Sequence, residues 1–140
     1  MIRDIFDANV YVSAAITRNS DTAASRLLGT MIAGQIEALL CPMLLEEVGD
    51  VLSRPKLKRY LSDEQAAAFA VLVSLLATNI ADPHKPYAAV SRDPDDDYLL
   101  ALLKEHPDAV LCTGDNDLLE LRDSRSILTP RELADRLEAG

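Results

Sequence analysis

The chain has 140 residues, of which 49% are hydrophobic and only 4% are aromatic. This length and composition predict one globular domain, residues 1–140, with an aliphatic core. The net charge of −9 argues against a protein that binds nucleic acid through a general basic surface. The chain does not begin like a signal peptide, and its longest apolar run is too short to cross a bilayer. We therefore expect a cytoplasmic protein with no membrane contact.

The sequence alternates between strand and helix patterns. Short apolar runs predict the strands, and apolar residues at helical spacing predict the helices. The predicted elements are, in chain order, a strand over 2–6, a helix over 23–32, a strand over 36–41, a helix from about 42 to 52, a helix from about 63 to 78, a short strand near 79–81, a helix from about 94 to 104, a strand over 109–112, a short helix over 115–121, a strand at 127–128 and a final helix from 130. Strands that alternate with helices imply an α/β fold, in which a central parallel sheet of four to five strands carries helices on both faces.

Acidic residues follow the ends of several predicted strands. Asp7 ends the first strand, Asp115 follows the strand over 109–112, and Glu46 and Glu47 lie early in the helix after the second strand. The run Asp95–Asp97 opens another helix. A single acid at a helix start has an ordinary explanation, because it meets the helix dipole favourably by about 0.3–1 kcal/mol. Four such positions at one edge of a parallel sheet favour a site for a hard cation such as Mg²⁺ or Mn²⁺.

Helical geometry separates Glu46 from Glu47. The apolar residues of their helix define a buried stripe, and Glu47 lies about 100° from its centre whereas Glu46 lies about 160° away. Glu47 is therefore the better candidate for a buried site. The same test does not choose between Asp96 and Asp97, because the helix that follows them is apolar nearly all round.

Four segments resemble, in the right order and spacing, the motifs of PIN-domain ribonucleases. They are Asp7–Ser13, Leu44–Val48 with the following Val51–Lys56, Asp93–Leu102, and Thr113–Leu119. The second segment is similar to the motif of a PIN toxin subgroup, and the resemblance implies a VapC-like toxin of a bacterial toxin–antitoxin pair. One departure is Ala8, which stands where a hydroxyl residue is common.

The resemblance implies a Rossmann-like PIN domain that cleaves RNA with Mg²⁺ or Mn²⁺ and is paired with a protein antitoxin. It also implies roles for individual residues. Carried over position by position, the metal-binding and catalytic acids would be Asp7, Glu47, Asp97 and Asp115, with Asp117 as an auxiliary ligand and Asn9 and Thr113 as supporting polar groups.

Two other features have alternative interpretations. The basic residues Arg54, Lys56, Lys58 and Arg59 either bind RNA phosphates or are the solubilising charges of an exposed loop. The apolar run over 66–77 is either a buried core helix, which we favour, or a helix covered by a second copy or by an antitoxin.

Two further functions compete with the ribonuclease. A PIN-like module without activity would bind a partner through its acidic cleft, but every expected acid is present. A phosphoryl-accepting α/β domain also gathers carboxylates at a sheet edge, yet no lysine follows a strand end in this chain. Cys41 and Cys112 are expected to be reduced core thiols, and His84 and His106 to lie at the surface.

Overall fold

The sheet is the framework of the molecule. In the computed structural model, which describes residues 1–139, its strands are Ile2–Phe6 (β1), Ile36–Leu40 (β2), Thr78–Asn79 (β3), Ala109–Cys112 (β4) and Ile127–Leu128 (β5). All four pairings are parallel, in the order β3-β2-β1-β4-β5. The predicted parallel α/β sheet is confirmed.

Helices cover the sheet. They are Ala8–Ile16 (α1), Ala23–Ile32 (α2), Pro42–Leu52 (α3), Asp63–Leu76 (α4), Asp97–Glu105 (α5), Asn116–Leu119 (α6) and Pro130–Ala139 (α7). From β1 to β3 the chain moves one way along the sheet, and from β3 to β5 it moves the other way. Because parallel crossovers are right-handed, the two sets of connecting helices lie on opposite faces. No helix within residues 1–139 has both the length and the hydropathy needed to cross a membrane.

Local signals explain where several helices begin and end. Ser62 and Gln65 form a reciprocal capping box at the start of α4, and Thr129 and Glu132 do the same for α7. Gly34 follows α2 with φ of 72°, a conformation that glycine adopts without strain. These starts and stops are the ones that the sequence predicts.

The register of the central strands brings the ends of β1 and β4 together. Phe6 is paired with Cys112, and the backbone N–H of Asp7 donates to the carbonyl of Cys112 over 2.9 Å. The residues that follow these strands, Asp7 and Thr113, are therefore neighbours at the carboxyl edge of the sheet.

One buried carboxyl lies inside β1 itself. Asp4 is fully buried, and neither of its carboxyl oxygens has a hydrogen-bond partner within residues 1–139. The hydroxyl of Tyr11 on α1 is likewise buried without a partner there. Burial raises the pKa of Asp4 well above its usual value, because the charged form loses its contact with water.

Helix α1 is an element for which the sequence analysis predicted no helix. Its apolar residues Val10, Tyr11 and Val12 are consecutive and all buried, so they do not show the spacing of a one-sided helix. The helix is covered from several sides, because it contacts both α2 and α3.

The expectation that α4 is a buried core helix is wrong. Val73 is its one fully buried residue, whereas Val71, Leu72 and Leu75 are 56%, 39% and 77% exposed. The helix packs against α3 along one side, and the rest of its apolar surface faces outward. We call Val71, Leu72 and Leu75 the α4 apolar face.

Candidate metal centre

Asp7, Thr113 and Asp115 form the centre of the acidic cluster. Asp7 and Thr113 are buried, and the Thr113 hydroxyl donates to Asp7 Oδ2 over 2.7 Å. The same hydroxyl oxygen accepts the backbone N–H of Asp115 over 3.0 Å. Burial raises the pKa of the Asp7 carboxyl, the Thr113 hydrogen bond opposes that rise, and the charge of Asp115 adds to it. Thr113 therefore links two acids that follow neighbouring strands.

Asp96 is the third acid of this group. It is 7% exposed, and its Oδ2 atom is buried without a hydrogen-bond partner within residues 1–139. Burial, the adjacent Asp115 carboxyl and the charge of Asp7 raise the pKa of Asp96 to about 8. Because Asp7 and Asp115 are among the groups that raise the pKa of Asp96, the Asp96 side chain faces the centre of the cluster.

Asp97, the acid that the motif comparison favoured, is engaged elsewhere. Its Oδ1 atom accepts the backbone N–H groups of Val90 over 3.0 Å and of Ser91 over 2.7 Å. These bonds tie the loop before α5 to the start of the helix. The assignment of Asp97 to the cluster is therefore corrected to Asp96, because a single residue step along the chain turns the two carboxyls in different directions.

Glu47 reaches the cluster from α3. It is partly buried, whereas Glu46 is exposed, as the helical geometry predicts. The Tyr98 hydroxyl donates to Glu47 Oε2 over 2.6 Å. Burial raises the pKa of Glu47, the hydrogen bond from Tyr98 lowers it, and the charge of Asp7 raises it again. Tyr98 was missed by the sequence analysis, because a tyrosine in an apolar helix is more often a core residue than a site residue.

Comparisons with known proteins agree with this arrangement. A family model described as PIN domain matches residues 3–117. The chain belongs to the PIN domain family. An uncharacterized protein of Methanocaldococcus jannaschii, MJ1680, is 29% identical over 147 aligned positions, which cover 98% of this chain and 92% of that protein. The crystal structure of PAE2754 from Pyrobaculum aerophilum has the same fold, with a TM-score of 0.64 at 18% identity, over 99% of this chain and 91% of that one.

PIN domains in general are nucleases that use divalent metal ions. Within residues 1–139, no three Asp, Glu, His or Cys side chains are grouped tightly enough to hold a metal as they stand. The chemistry nevertheless fits a hard cation, because the donors are all carboxylate oxygens and Asp96 Oδ2 has no other partner within that range.

The remaining predicted site residues lie at different distances from this PIN-domain centre. Asp117 donates its backbone N–H to Asp115 Oδ1 over 2.9 Å and so supports that acid. Asn9 lies exposed on the first turn of α1.

The four predicted RNA-binding basic residues are exposed and follow the C-terminal end of α3. The other end of this helix begins at the cluster side of β2, and the helix is about 16 Å long. These basic residues are Arg54, Lys56, Lys58 and Arg59, of which Lys58 pairs with Asp63 and Arg59 stacks on Tyr60.

Both cysteines are free and buried, as expected for core thiols. Burial raises the pKa of Cys41 to about 11, so its thiol is protonated near pH 7. His84 is exposed and His106 is partly exposed. None of these four side chains belongs to the acidic cluster.

Proposed function

We propose that this PIN-domain protein is a metal-dependent endoribonuclease, the toxin of a toxin–antitoxin pair that acts on RNA in the cytoplasm. The observation that carries the proposal is the concentration of Asp7, Asp96, Asp115 and Glu47 at one edge of the sheet, with Asp96 Oδ2 buried and unpartnered. Crowded carboxylates repel one another and oppose folding. A divalent cation bound between the acids would remove that repulsion, so a metal site explains why they are grouped.

The four acids would hold Mg²⁺ or Mn²⁺. When bound, such an ion lowers the pKa of a coordinated water and polarises a phosphoryl oxygen. The protein's contribution is to hold the acids in place. Thr113 fixes the orientation of Asp7, and Tyr98 fixes that of Glu47. Partners of this kind typically change activity by about 10- to 100-fold when they are removed.

The test is cleavage of labelled total RNA by the purified protein, with Mn²⁺ and with excess chelator. We expect cuts only with the metal, and mapping of the cut ends would identify the target. The variants Asp7→Asn and Asp115→Asn should abolish cleavage, and Asp50→Asn, which changes an exposed acid of α3, should not. Cleavage that persists unchanged in chelator would refute the proposal, and a folded protein that binds Mn²⁺ but never cuts would favour a PIN-like module without activity.

The partners are part of the same proposal. The α4 apolar face, with Leu75 at 77% exposure, is supporting evidence for a protein that covers it, either an antitoxin or a second copy of this chain. Co-expression with the adjacent reading frame should give a complex that Leu75→Lys weakens. Light scattering of the isolated protein separates the two occupants, since a monomer at high concentration argues against self-association.

RNA contact by the basic residues of the α3–α4 connection also remains a proposal. Arg54 and Lys56 are exposed and form no ion pair within residues 1–139, so both are available to phosphates. Reversing the two charges should weaken RNA binding and flatten its dependence on salt. Unchanged binding would mean that these residues only solubilise the connection.

A further inference from the structure

A groove of about 890 Å³ lies on the side of the molecule where α5 covers the sheet. Its walls are the loop over 84–90, the outer side of α5 and the segment over 124–126 that leads into β5. It also reaches Ala109, the first residue of β4, whereas Thr113 and Asp115 follow the other end of that strand. The groove is therefore separate from the acidic cluster, and no acid of that cluster lines it.

The floor of the groove is apolar. Leu100 and Leu103 of α5 are 6% and 7% exposed, and Tyr87 and Val90 of the loop also line the groove. Val90 itself is 37% exposed. The groove thus offers aliphatic and aromatic surface that a ligand could remove from water, and its volume is within the usual range for small-molecule sites, about 300–1,000 Å³.

The rim of the groove carries positive charge. Lys104 and Arg125 both line it, and within residues 1–139 neither forms an ion pair with a carboxylate. Arg125 donates from Nη1 to Ser124 Oγ over 3.0 Å, which leaves its other donors open. The rim carboxylate, Glu105, already accepts the backbone N–H of His84 over 2.8 Å and lies 3.2 Å from the His84 ring Nδ1.

Two cations, Lys104 and Arg125, line this groove beside its apolar floor in a protein whose net charge is −9. Because Glu105 is already bound by His84, the lining offers positive charge to a ligand. The ligand that complements such a groove has an apolar body and one anionic group. A nucleic-acid strand matches it less well, because its many phosphates would need more cations than Lys104 and Arg125, and its sugars would not fill an aliphatic floor.

We propose that this groove binds a small amphipathic anion, whose alkyl or aromatic body lies on Leu100 and Leu103 and whose carboxylate, sulfonate or phosphate contacts Lys104 and Arg125. The site is distinct from the acidic cluster and does not depend on nuclease activity. It assigns a binding function to the face of the domain opposite α1 and α2.

The test uses anilinonaphthalene sulfonate, a fluorescent anion with an aromatic body, on the intact chain in chelator. We expect saturable binding that decanoate displaces and that decanol, which lacks the charge, displaces less well. The double variant Lys104→Glu/Arg125→Glu should weaken binding about tenfold, and Ala101→Phe, which fills the groove from α5, should do the same without a change of charge. The single variant Arg125→Gln gives a milder version of the charge test.

The controls keep the result specific to the groove. Leu75→Lys removes apolar surface from α4, and Arg54→Glu/Lys56→Glu reverses two charges elsewhere, so both should leave the titration unchanged. The proposal is overturned if Leu75→Lys abolishes binding while the groove variants do not, or if decanol competes as well as decanoate. Displacement of the probe by short oligoadenylate, with loss of oligoadenylate binding in the double variant, would assign the groove to RNA instead.

Discussion

Replacing Asp96 by Asn should stabilise the metal-free protein at pH 7. The carboxyl is 7% exposed, its Oδ2 atom has no partner within residues 1–139, and burial beside Asp115 raises its pKa to about 8. In the unfolded chain an Asp carboxyl titrates near pH 4. Between about pH 4 and pH 7 the native state therefore holds a proton that the unfolded state has lost, at a cost on the order of 4 kcal/mol. The Asn amide is still imperfectly bonded, so we expect a net gain of about 1–3 kcal/mol.

The sign of the pH dependence follows from the raised pKa. A carboxyl whose pKa is higher in the folded state costs nothing below about pH 4, and its cost grows as the pH rises towards about 8, where it levels off. Urea unfolding of wild type and Asp96→Asn in chelator, near pH 4.5, 7 and 8.5, should therefore show a stability difference that widens with pH. In Mn²⁺ at 100 times its dissociation constant, the wild type should gain about 2.7 kcal/mol and the variant should gain much less.

Asp97→Ala is the matched control. It removes the acceptor for the N–H groups of Val90 and Ser91, so it should destabilise the protein by about 1–3 kcal/mol at each pH and keep the response to Mn²⁺. The reasoning is refuted if Asp96→Asn is less stable than wild type at pH 7 in chelator and still gains as much from Mn²⁺. Asp97 would then be the ligand that the PIN-domain motif comparison implied.

Three further changes test other parts of the structure. Glu47→Gln should abolish RNA cleavage while Glu46→Gln leaves it nearly intact, and the opposite pattern in a cleavage assay would contradict the orientation of α3. Tyr98→Phe removes the hydrogen bond to Glu47, so it should lower the cleavage rate about 10- to 100-fold with a smaller effect on melting temperature. Equal cleavage rates of the variant and the wild type would show that this bond has no role in activity. Asp4→Val should raise the free energy of unfolding at pH 7 by about 1–3 kcal/mol, because it replaces a fully buried carboxyl that has no hydrogen-bond partner within residues 1–139. A lower urea midpoint for the variant would mean that Asp4 has a stabilising contact.

The sequence by itself determined the order of the strands and of every helix except α1, and the edge of the sheet that carries the acids. Hydrophobic runs and capping residues are local, so the strands, the capping boxes at Ser62 and Thr129 and the positions of Asp7 and Asp115 follow from short stretches of chain. The greater burial of Glu47 than of Glu46 follows from the sequence for a similar reason, since one face of α3 is clearly apolar and helical geometry places the other residues relative to it.

Only the tertiary structure decided between Asp96 and Asp97 and revealed that α4 is exposed. The helix after the two aspartates is apolar on most sides, so its sequence does not say which carboxyl faces Asp7 and Asp115. The backbone N–H groups of residues 90 and 91 bind the carboxyl of Asp97, and the carboxyl of Asp96 faces the other two acids. In α4 the sequence shows that the helix is apolar, but it does not show which of its residues are buried within the domain. Burial is a property of the neighbours that a segment meets in space, and those neighbours come from distant parts of the chain or from another molecule.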